Sequence, residues 1–226
     1  MWLWVLACQH GEGCTKHKVT RRMNFDLAIV LAVDCSSSVD AGDFHLQMFG
    51  IAEALRQPPI LDAIQSGANQ RIAFALVQWS TKRSQHIGIQ WRQLASQNDM
   101  FQTAAEIEKA ERQWLIGGTG LAAAMDFCAA LHARLPGKAA RKVIDVSGDG
   151  EDNEDGDVLF SRNAAIAQNI TINGLPIIDG SHYIEAYYRY RVIGGPGSFV
   201  MPAANTFAFK EAMAQKLLKE IGSQTA

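Results

Sequence analysis

The stretch that decides the fold is Leu27-Ala28-Ile29-Val30-Leu31-Ala32-Val33-Asp34-Cys35-Ser36-Ser37-Ser38. Its first seven residues form a continuous apolar run, which is typical of a strand that is buried on both faces of a parallel sheet. The polar residues that follow are therefore expected in a loop at the carboxyl edge of the sheet, where open α/β sheets bind their ligands. One carboxylate and two hydroxyls at alternate positions, on Asp34, Ser36 and Ser38, suit a small oxygen-seeking cation such as Mg²⁺ or Mn²⁺.

Segments with strand-like and helix-like patterns alternate along the rest of the chain, which is typical of a doubly wound α/β domain. The pattern predicts a mostly parallel six-stranded sheet with helices on both faces. The gap at residues 80–85, between the second and third strands, is too short for a helical crossover. The third strand is therefore expected to be antiparallel and near an edge of the sheet. The sixth strand is predicted at residues 199–201.

Composition narrows the class of protein. The chain has 226 residues, of which 48% are apolar, and a formal net charge of −2, as expected for one ordinary globular domain. Lys and Arg are scattered, so no basic stripe is available to bind a nucleic acid. No apolar run approaches the roughly 20 residues that span a bilayer. Cys35 and Cys128 are interpreted as small buried thiols.

The domain is predicted to cover residues 25–226, and residues 1–24 are interpreted as a tail. The apolar segment Met1–Cys8 ends in Val-Leu-Ala-Cys, which has some similarity to a lipoprotein cleavage site. It lacks the basic region and the longer apolar core of a secretory signal. The tail is therefore expected to be either disordered or a wrongly assigned start, with Met23 as the true first residue.

Two further polar loops are expected at the same sheet edge as Asp34. The first is Gly117–Gly120, which precedes a helix, and the second is Gly148–Asp155, which follows the fourth strand. The loops converge if the first and fourth strands are neighbours, as right-handed crossovers permit. The candidate metal ligands are then two carboxylates and three hydroxyls: Asp34, Ser36, Ser38, Thr119 and Asp149.

This order of motifs resembles the von Willebrand factor type A domain with its metal ion-dependent adhesion site (MIDAS). The family pattern is Asp-x-Ser-x-Ser, a distant Thr, and Asp-Gly after the fourth strand, and all five positions are filled here. More narrowly, the chain is similar to an uncharacterised bacterial branch of these domains, through residues 147–150, 172–177 and 192–200. That branch is compatible with a periplasmic or exported location, but no convincing signal peptide is present, so the compartment stays open.

The resemblance implies that Ser36, Ser38 and Thr119 bind the ion directly or nearly so, while Asp34 and Asp149 help through water. The expected ion is Mg²⁺ or Mn²⁺, with Ca²⁺ as an alternative. Neutral hydroxyls and water-separated carboxylates leave part of the charge of a divalent ion unneutralised, so the ion can bind one more anionic oxygen. The predicted function is therefore metal-dependent binding of a protein partner that presents Asp or Glu, rather than catalysis.

Three other interpretations compete with this one. Serine-rich turns are common after strands because Ser and Asp side chains close turns. The acidic run from Glu151 to Asp157 attracts a further cation or is simply solvated. A phosphotransferase of the haloacid dehalogenase type would use Asp34 as nucleophile, Asp149 and Asp152 as Mg²⁺ ligands, and Lys142 or Lys138 against the phosphate. That family has a second Asp as general acid where this chain has Ser36.

Overall fold

The computed structural model describes residues 23–181 and 183–222. Five strands form one sheet: β1 (Met23–Asp34), β2 (Ile72–Trp79), β3 (Gln85–Leu94), β4 (Gly137–Gly148) and β5 (Thr171–Pro176). Their order across the sheet is β3-β2-β1-β4-β5. β1 pairs in parallel with β2 and β4, β4 pairs in parallel with β5, and β3 is antiparallel to β2. The mostly parallel α/β sheet and its antiparallel edge strand are therefore confirmed.

Seven helices surround this sheet within the described residues: α1 (Ala41–Arg56), α2 (Pro58–Gln65), α3 (Gln97–Glu108), α4 (Leu121–His132), α5 (Val158–Ile166), α6 (Tyr183–Tyr187) and α7 (Phe209–Gly222). A π-helical segment, Tyr188–Val192, continues α6, and a 3₁₀ turn, Thr206–Ala208, precedes α7. Helices α1, α2, α3 and α7 pack against one face of the sheet, and α4, α5 and the π-helical segment pack against the other. None of these helices is long and apolar enough to cross a bilayer.

The apolar run of β1 lies at the centre of both packing layers. Ile29 and Leu31 contact the α1 and α7 layer, whereas Val30 and Ala32 contact the α4 layer. All four are at most 1% exposed, as expected for a strand that is covered on both faces. The carboxyl end of this strand, at Asp34, is therefore held by the core of the protein.

The predicted sixth strand is wrong. Residues 199–203 do run beside β5, where Gly174 N donates to Phe199 O, Met201 N donates to Gly174 O, and Ala203 N donates to Pro176 O. A continuous parallel ladder would also need residue 176 to donate to Met201, and proline has no N–H. The segment consequently makes only isolated bridges, Gly174 with Val200 and Ile177 with Ala203.

Several predicted boundaries also move. Pro58-Pro59 does end the first helix, since α1 stops at Arg56, and it also begins a helix that was not predicted, α2, because proline fits the first helical position. The next helix, α3, is capped by Ser96 rather than by Asn98 or Asp99, and it ends at Glu108 rather than near Arg112. Residues 1–22 of the predicted tail lie outside the described residues, as do Cys8 and Cys14. Its last two residues, 23 and 24, begin β1.

Candidate metal centre

The three predicted loops meet at the carboxyl edge of the sheet. β1 and β4 are neighbours, with Val33 paired to Ser147, so Asp34 and the residues after Gly148 leave the sheet side by side. Ser37 joins the first loop to the loop before α4, because its N donates to Gly117 O at 3.0 Å and its Oγ accepts from Gly117 N at 2.8 Å. Thr119 therefore lies at the same end of the sheet as Asp34.

Four of the five predicted ligands form one hydrogen-bonded chain. Ser36 N donates to Asp34 Oδ1 at 2.7 Å, and the Oγ atoms of Ser36 and Ser38 are 3.2 Å apart. Ser38 Oγ then donates to Asp149 Oδ1 at 2.7 Å. Thr119 comes close to the same group, since its Oγ1 is 3.5 Å from the position that a Cβ of Gly150 would occupy.

Burial makes the charged forms of two carboxyl groups at this edge unfavourable. Asp34 is fully buried, and burial raises the pKa of its carboxyl group to about 7, against a contribution from the Ser36 N–H that lowers it. Burial also raises the pKa of Asp149 above its ordinary value. No Lys or Arg of the described residues forms an ion pair with either carboxylate. The two carboxylates thus have no ion-paired counter-charge among the described residues.

Residues of the acidic run position Thr119 and the helix after it. Thr119 N donates to Asn153 Oδ1 at 2.7 Å, and Asn153 N donates to Thr119 O at 2.9 Å. Gly120 stands at the N-cap position of α4 and has no side chain to accept a hydrogen bond from the first turn. Asp152 Oδ2 accepts from Ala122 N at 2.9 Å instead. Sequence reasoning missed both roles, although a helix that starts without a capping residue was a signal that a remote cap is needed.

Arg112 was also missed. Its guanidinium donates to the carbonyl oxygens of Ser36 at 2.8 Å and of Cys35 at 3.3 Å, and thereby holds the first loop from behind. Cys35 itself is buried, as predicted, and burial raises the pKa of its thiol to about 12. The thiol is therefore a packing group beside the site, and the oxygen atoms on either side of it remain the candidate ligands.

The donor set fits a hard divalent cation. Two serine hydroxyls and two carboxylates are linked, the Thr119 hydroxyl lies beside Gly150, and Asp34 Oδ2 is buried without a hydrogen-bond partner in the part of the chain that the structure describes. That same part holds no group of three or more His, Cys, Asp and Glu side chains placed to bind a metal. An oxygen-only set rich in neutral hydroxyls matches the ligand preference of Mg²⁺ and Mn²⁺.

The two lysines named for the phosphotransferase interpretation lie away from this edge. Lys142 pairs with Ala28 and Lys138 pairs with Asn24, so both residues lie toward the opposite end of β4. At about 3.3 Å per residue, the six positions between Ala28 and Asp34 put Lys142 roughly 20 Å from the presumed nucleophile. Neither lysine is placed to stabilise a phosphoryl group on Asp34.

The chain matches one family model, that of a family described as "protein of unknown function (DUF1194)", over residues 24–225. A search of curated proteins found no matching relative.

Solved structures of three other proteins have the same fold. Proximal thread matrix protein 1 from the mussel byssus, with a zinc-occupied MIDAS motif, is 15% identical with a TM-score of 0.60, over 87% of this chain and 46% of that one. The pilus adhesin SpaC from Lactobacillus rhamnosus GG is 14% identical with a TM-score of 0.63, over 87% and 31%. A von Willebrand factor type A protein from Catenulispora acidiphila is 16% identical with a TM-score of 0.58, over 89% and 44%.

These matches confirm that the chain has the von Willebrand factor type A fold. The chain spans less than half the length of each of the three proteins.

Proposed function

The chain belongs to the DUF1194 family of proteins of unknown function, and we propose that its carboxyl sheet edge is a metal-dependent protein-binding site of the MIDAS type. The observation that carries the proposal is the hydrogen-bonded chain from Asp34 through Ser36 and Ser38 to Asp149, with Thr119 beside it. These residues come from three separate loops, and the bond from Ser38 Oγ to Asp149 Oδ1 joins two of those loops directly.

In this proposal Ser36, Ser38 and Thr119 hold the ion directly, and Asp34 and Asp149 act through water. Mg²⁺ or Mn²⁺ is the expected ion, and Ca²⁺ is the alternative. When bound, the ion supplies a positive charge to which one further anionic oxygen can bind. Ser38 is exposed and Asp149 is half-buried, so this oxygen can come from an Asp or Glu of a partner protein. The zinc-occupied MIDAS motif of the mussel protein and the adhesin role of SpaC support the proposal by analogy.

Two exposed aliphatic side chains support a protein as the partner. Leu115 and Ile116 are 75% and 86% exposed, and they directly precede Gly117, which is hydrogen-bonded to Ser37 of the first loop. Apolar contact area beside a charged centre adds affinity to a protein complex that a lone carboxylate would not supply.

The direct test is Ser38→Ala, which removes one exposed oxygen ligand without a core contact. We expect the Kd for Mg²⁺ or Mn²⁺, measured by calorimetry, to rise at least about tenfold. The melting temperature in chelator should stay within about 2 °C, because an exposed hydroxyl contributes little to stability. Ser66→Ala is the control, since Ser66 is an exposed serine at the end of α2. Equal metal binding by wild type and Ser38→Ala would remove Ser38 from the ligand set.

Partner binding is tested by capture on immobilised protein. We expect the partner to be retained with Mg²⁺ or Mn²⁺, released by chelator, and absent from the Ser38→Ala column. Retention that is unchanged by chelator and by Ser38→Ala would contradict a metal-dependent binding site.

A further inference from the structure

Two buried oxygens behind the candidate metal site have no hydrogen-bond partner among the described residues. They are Asp34 Oδ2 and the hydroxyl oxygen of Tyr188, and both side chains are 0% exposed. The other Asp34 oxygen, Oδ1, accepts from Ser36 N. Buried polar atoms in native proteins are nearly always hydrogen-bonded to protein or to ordered water, so a pair of unpartnered oxygens needs an explanation.

The backbone leaves room for Tyr188 to reach the site through two glycines on neighbouring strands. A Cβ added to Gly148 would stand 2.8 Å from Asp34 Oδ2 and 2.9 Å from the Tyr188 hydroxyl. A Cβ added to Gly174 would stand 2.7 Å from Cδ1 of the Tyr188 ring. Gly148 ends β4 and Gly174 lies in β5, so the ring crosses the ends of both strands in a slot that a larger residue at either position would close.

An irregular helix aims the ring into this slot. Tyr188 begins the π-helical segment, and Ile193 N donates to Tyr188 O across the wide turn at 3.0 Å. Single π-helical turns are rare and occur frequently at functional sites. The preceding residue, Tyr187, points elsewhere, because its hydroxyl accepts from Asp152 N at 3.1 Å. Adjacent tyrosines thus serve different loops.

We propose that Tyr188 is a positioning residue of the metal site, and that its hydroxyl and Asp34 Oδ2 share one buried water. The water satisfies both oxygens and fixes the orientation of the Asp34 carboxylate, while Ser36 N holds Oδ1. This inference rests on the proposed function. Groups that orient metal ligands from behind typically change metal affinity by about 10- to 100-fold when they are removed.

The test is Tyr188→Phe, which removes the hydroxyl and keeps the ring in its slot. Mn²⁺ alone is the probe, and the free ion is measured by electron paramagnetic resonance at a temperature where every variant is folded. We expect the Kd for Mn²⁺ to rise about tenfold. Tyr190→Phe, at a 74% exposed position of the same π-helical segment, is the control, and its Kd should stay within about twofold of wild type. In an Asp34→Asn background, Tyr188→Phe should have no further effect, because the two residues act through one carboxylate.

The outcomes separate this inference from the proposed function. Wild-type protein that binds no Mn²⁺ would overturn both. Wild-type binding with an unchanged Kd in Tyr188→Phe would overturn the inference alone and leave Tyr188 as a packing residue. An equal loss of affinity in Tyr188→Phe with and without Asp34→Asn would show that the hydroxyl does not act through Asp34, and would also overturn it. Gly148→Ala places a methyl group against both Asp34 Oδ2 and the Tyr188 hydroxyl, and it should weaken Mn²⁺ binding at least as much as Tyr188→Phe.

Discussion

The buried carboxylates of Asp34 and Asp145 lie on neighbouring central strands, and each has a second carboxylate nearby. Asp145 faces α7, where Lys216 Nζ lies 2.6 Å from Asp145 Oδ1 and 2.6 Å from Glu220 Oε1. All three side chains are at most 2% exposed. Asp34, in contrast, is bonded to Ser36 and lies near Asp149 and the Tyr188 hydroxyl, and no described Lys or Arg forms an ion pair with it. The inner cluster therefore contains an ion-paired lysine, whereas no ion pair to Asp34 or Asp149 is present among the described residues.

The difference shows what each cluster is for. A buried carboxylate without a counter-charge costs several kcal/mol, so proteins neutralise it, pair it or bind a cation with it. Asn173 completes the inner cluster, since its Nδ2 donates to Glu220 Oε1 at 2.7 Å. That cluster lies wholly inside the protein and ties α7 to β4 and β5. The outer cluster reaches solvent at Ser38, which is where an external cation can enter.

The largest expected effect comes from removing the internal cation. Lys216→Met leaves two buried carboxylates unpaired, and we expect the free energy of unfolding in urea at pH 7.5 to fall by about 3–5 kcal/mol. The loss should shrink as the pH falls below about 7, because burial raises the pKa of Asp145 to about 7 and a protonated carboxyl no longer needs the ammonium. Lys219→Met, at an exposed position on the same helix, is the control and should cost less than about 1 kcal/mol. A comparable loss from both variants would mean that burial does not distinguish the two lysines.

A smaller effect should follow from supplying the external cation. Mg²⁺ or Mn²⁺ at 100 times its Kd is expected to stabilise the wild-type protein by about 2.7 kcal/mol at pH 7.5. At pH 5.5 the gain should be smaller, because the Asp34 carboxyl, with a pKa raised to about 7 by burial, holds its proton and competes with the ion. The measurement is thermal unfolding with metal and with chelator at both pH values. A metal-induced shift that is the same at both would exclude Asp34 from the site.

The smallest expected effect is a gain in stability from removing a charge. The pKa of Asp34 is raised from 3.8 to about 7 in the folded protein, so between those values the folded state holds a proton that the unfolded chain has lost. The stabilising contribution of this group is therefore complete below about pH 4 and is lost as the pH rises to 7. Asp34→Asn should raise the free energy of unfolding at pH 8 in chelator by about 1–2 kcal/mol and reduce the stabilisation by metal without abolishing it.

Wild type and Asp34→Asn are compared from pH 4 to 8, because burial and Glu220 also raise the pKa of Asp145 and both proteins share that contribution. A variant less stable than wild type at pH 8 in chelator would show that the Asp34 charge is already neutralised by the chain.

The parts of the fold and site that could be predicted have local signals. The apolar run of β1 indicates a strand buried on both faces, and the serines after it stand in the order that the MIDAS pattern requires. The five-residue pattern was enough to locate one sheet edge, and the structure brings those residues together there. The assignment of each as a metal ligand stays a prediction.

What could not be predicted depends on contacts between distant residues. Lys216 and Glu220 are four residues apart on α7 and have the spacing of a surface ion pair, yet both are buried against Asp145. The only hint was a charged residue inside the apolar strand Val143-Ile144-Asp145-Val146. The role of Tyr188 depends on two glycines in other elements and on a π-helical turn, which no periodicity reveals.

Pro176 has a consequence for self-association. Residues 199–203 cover the outer side of β5 with bonds interrupted at that proline, and β3, at the other border, pairs with β2 through register shifts around Leu76. Covered or irregular borders are poor templates for an added strand from another molecule. The protein should therefore resist fibre growth by strand stacking at high concentration. Backbone pairing with a partner is therefore limited to short regular runs of β3, and loops and side chains are left as the larger docking surface.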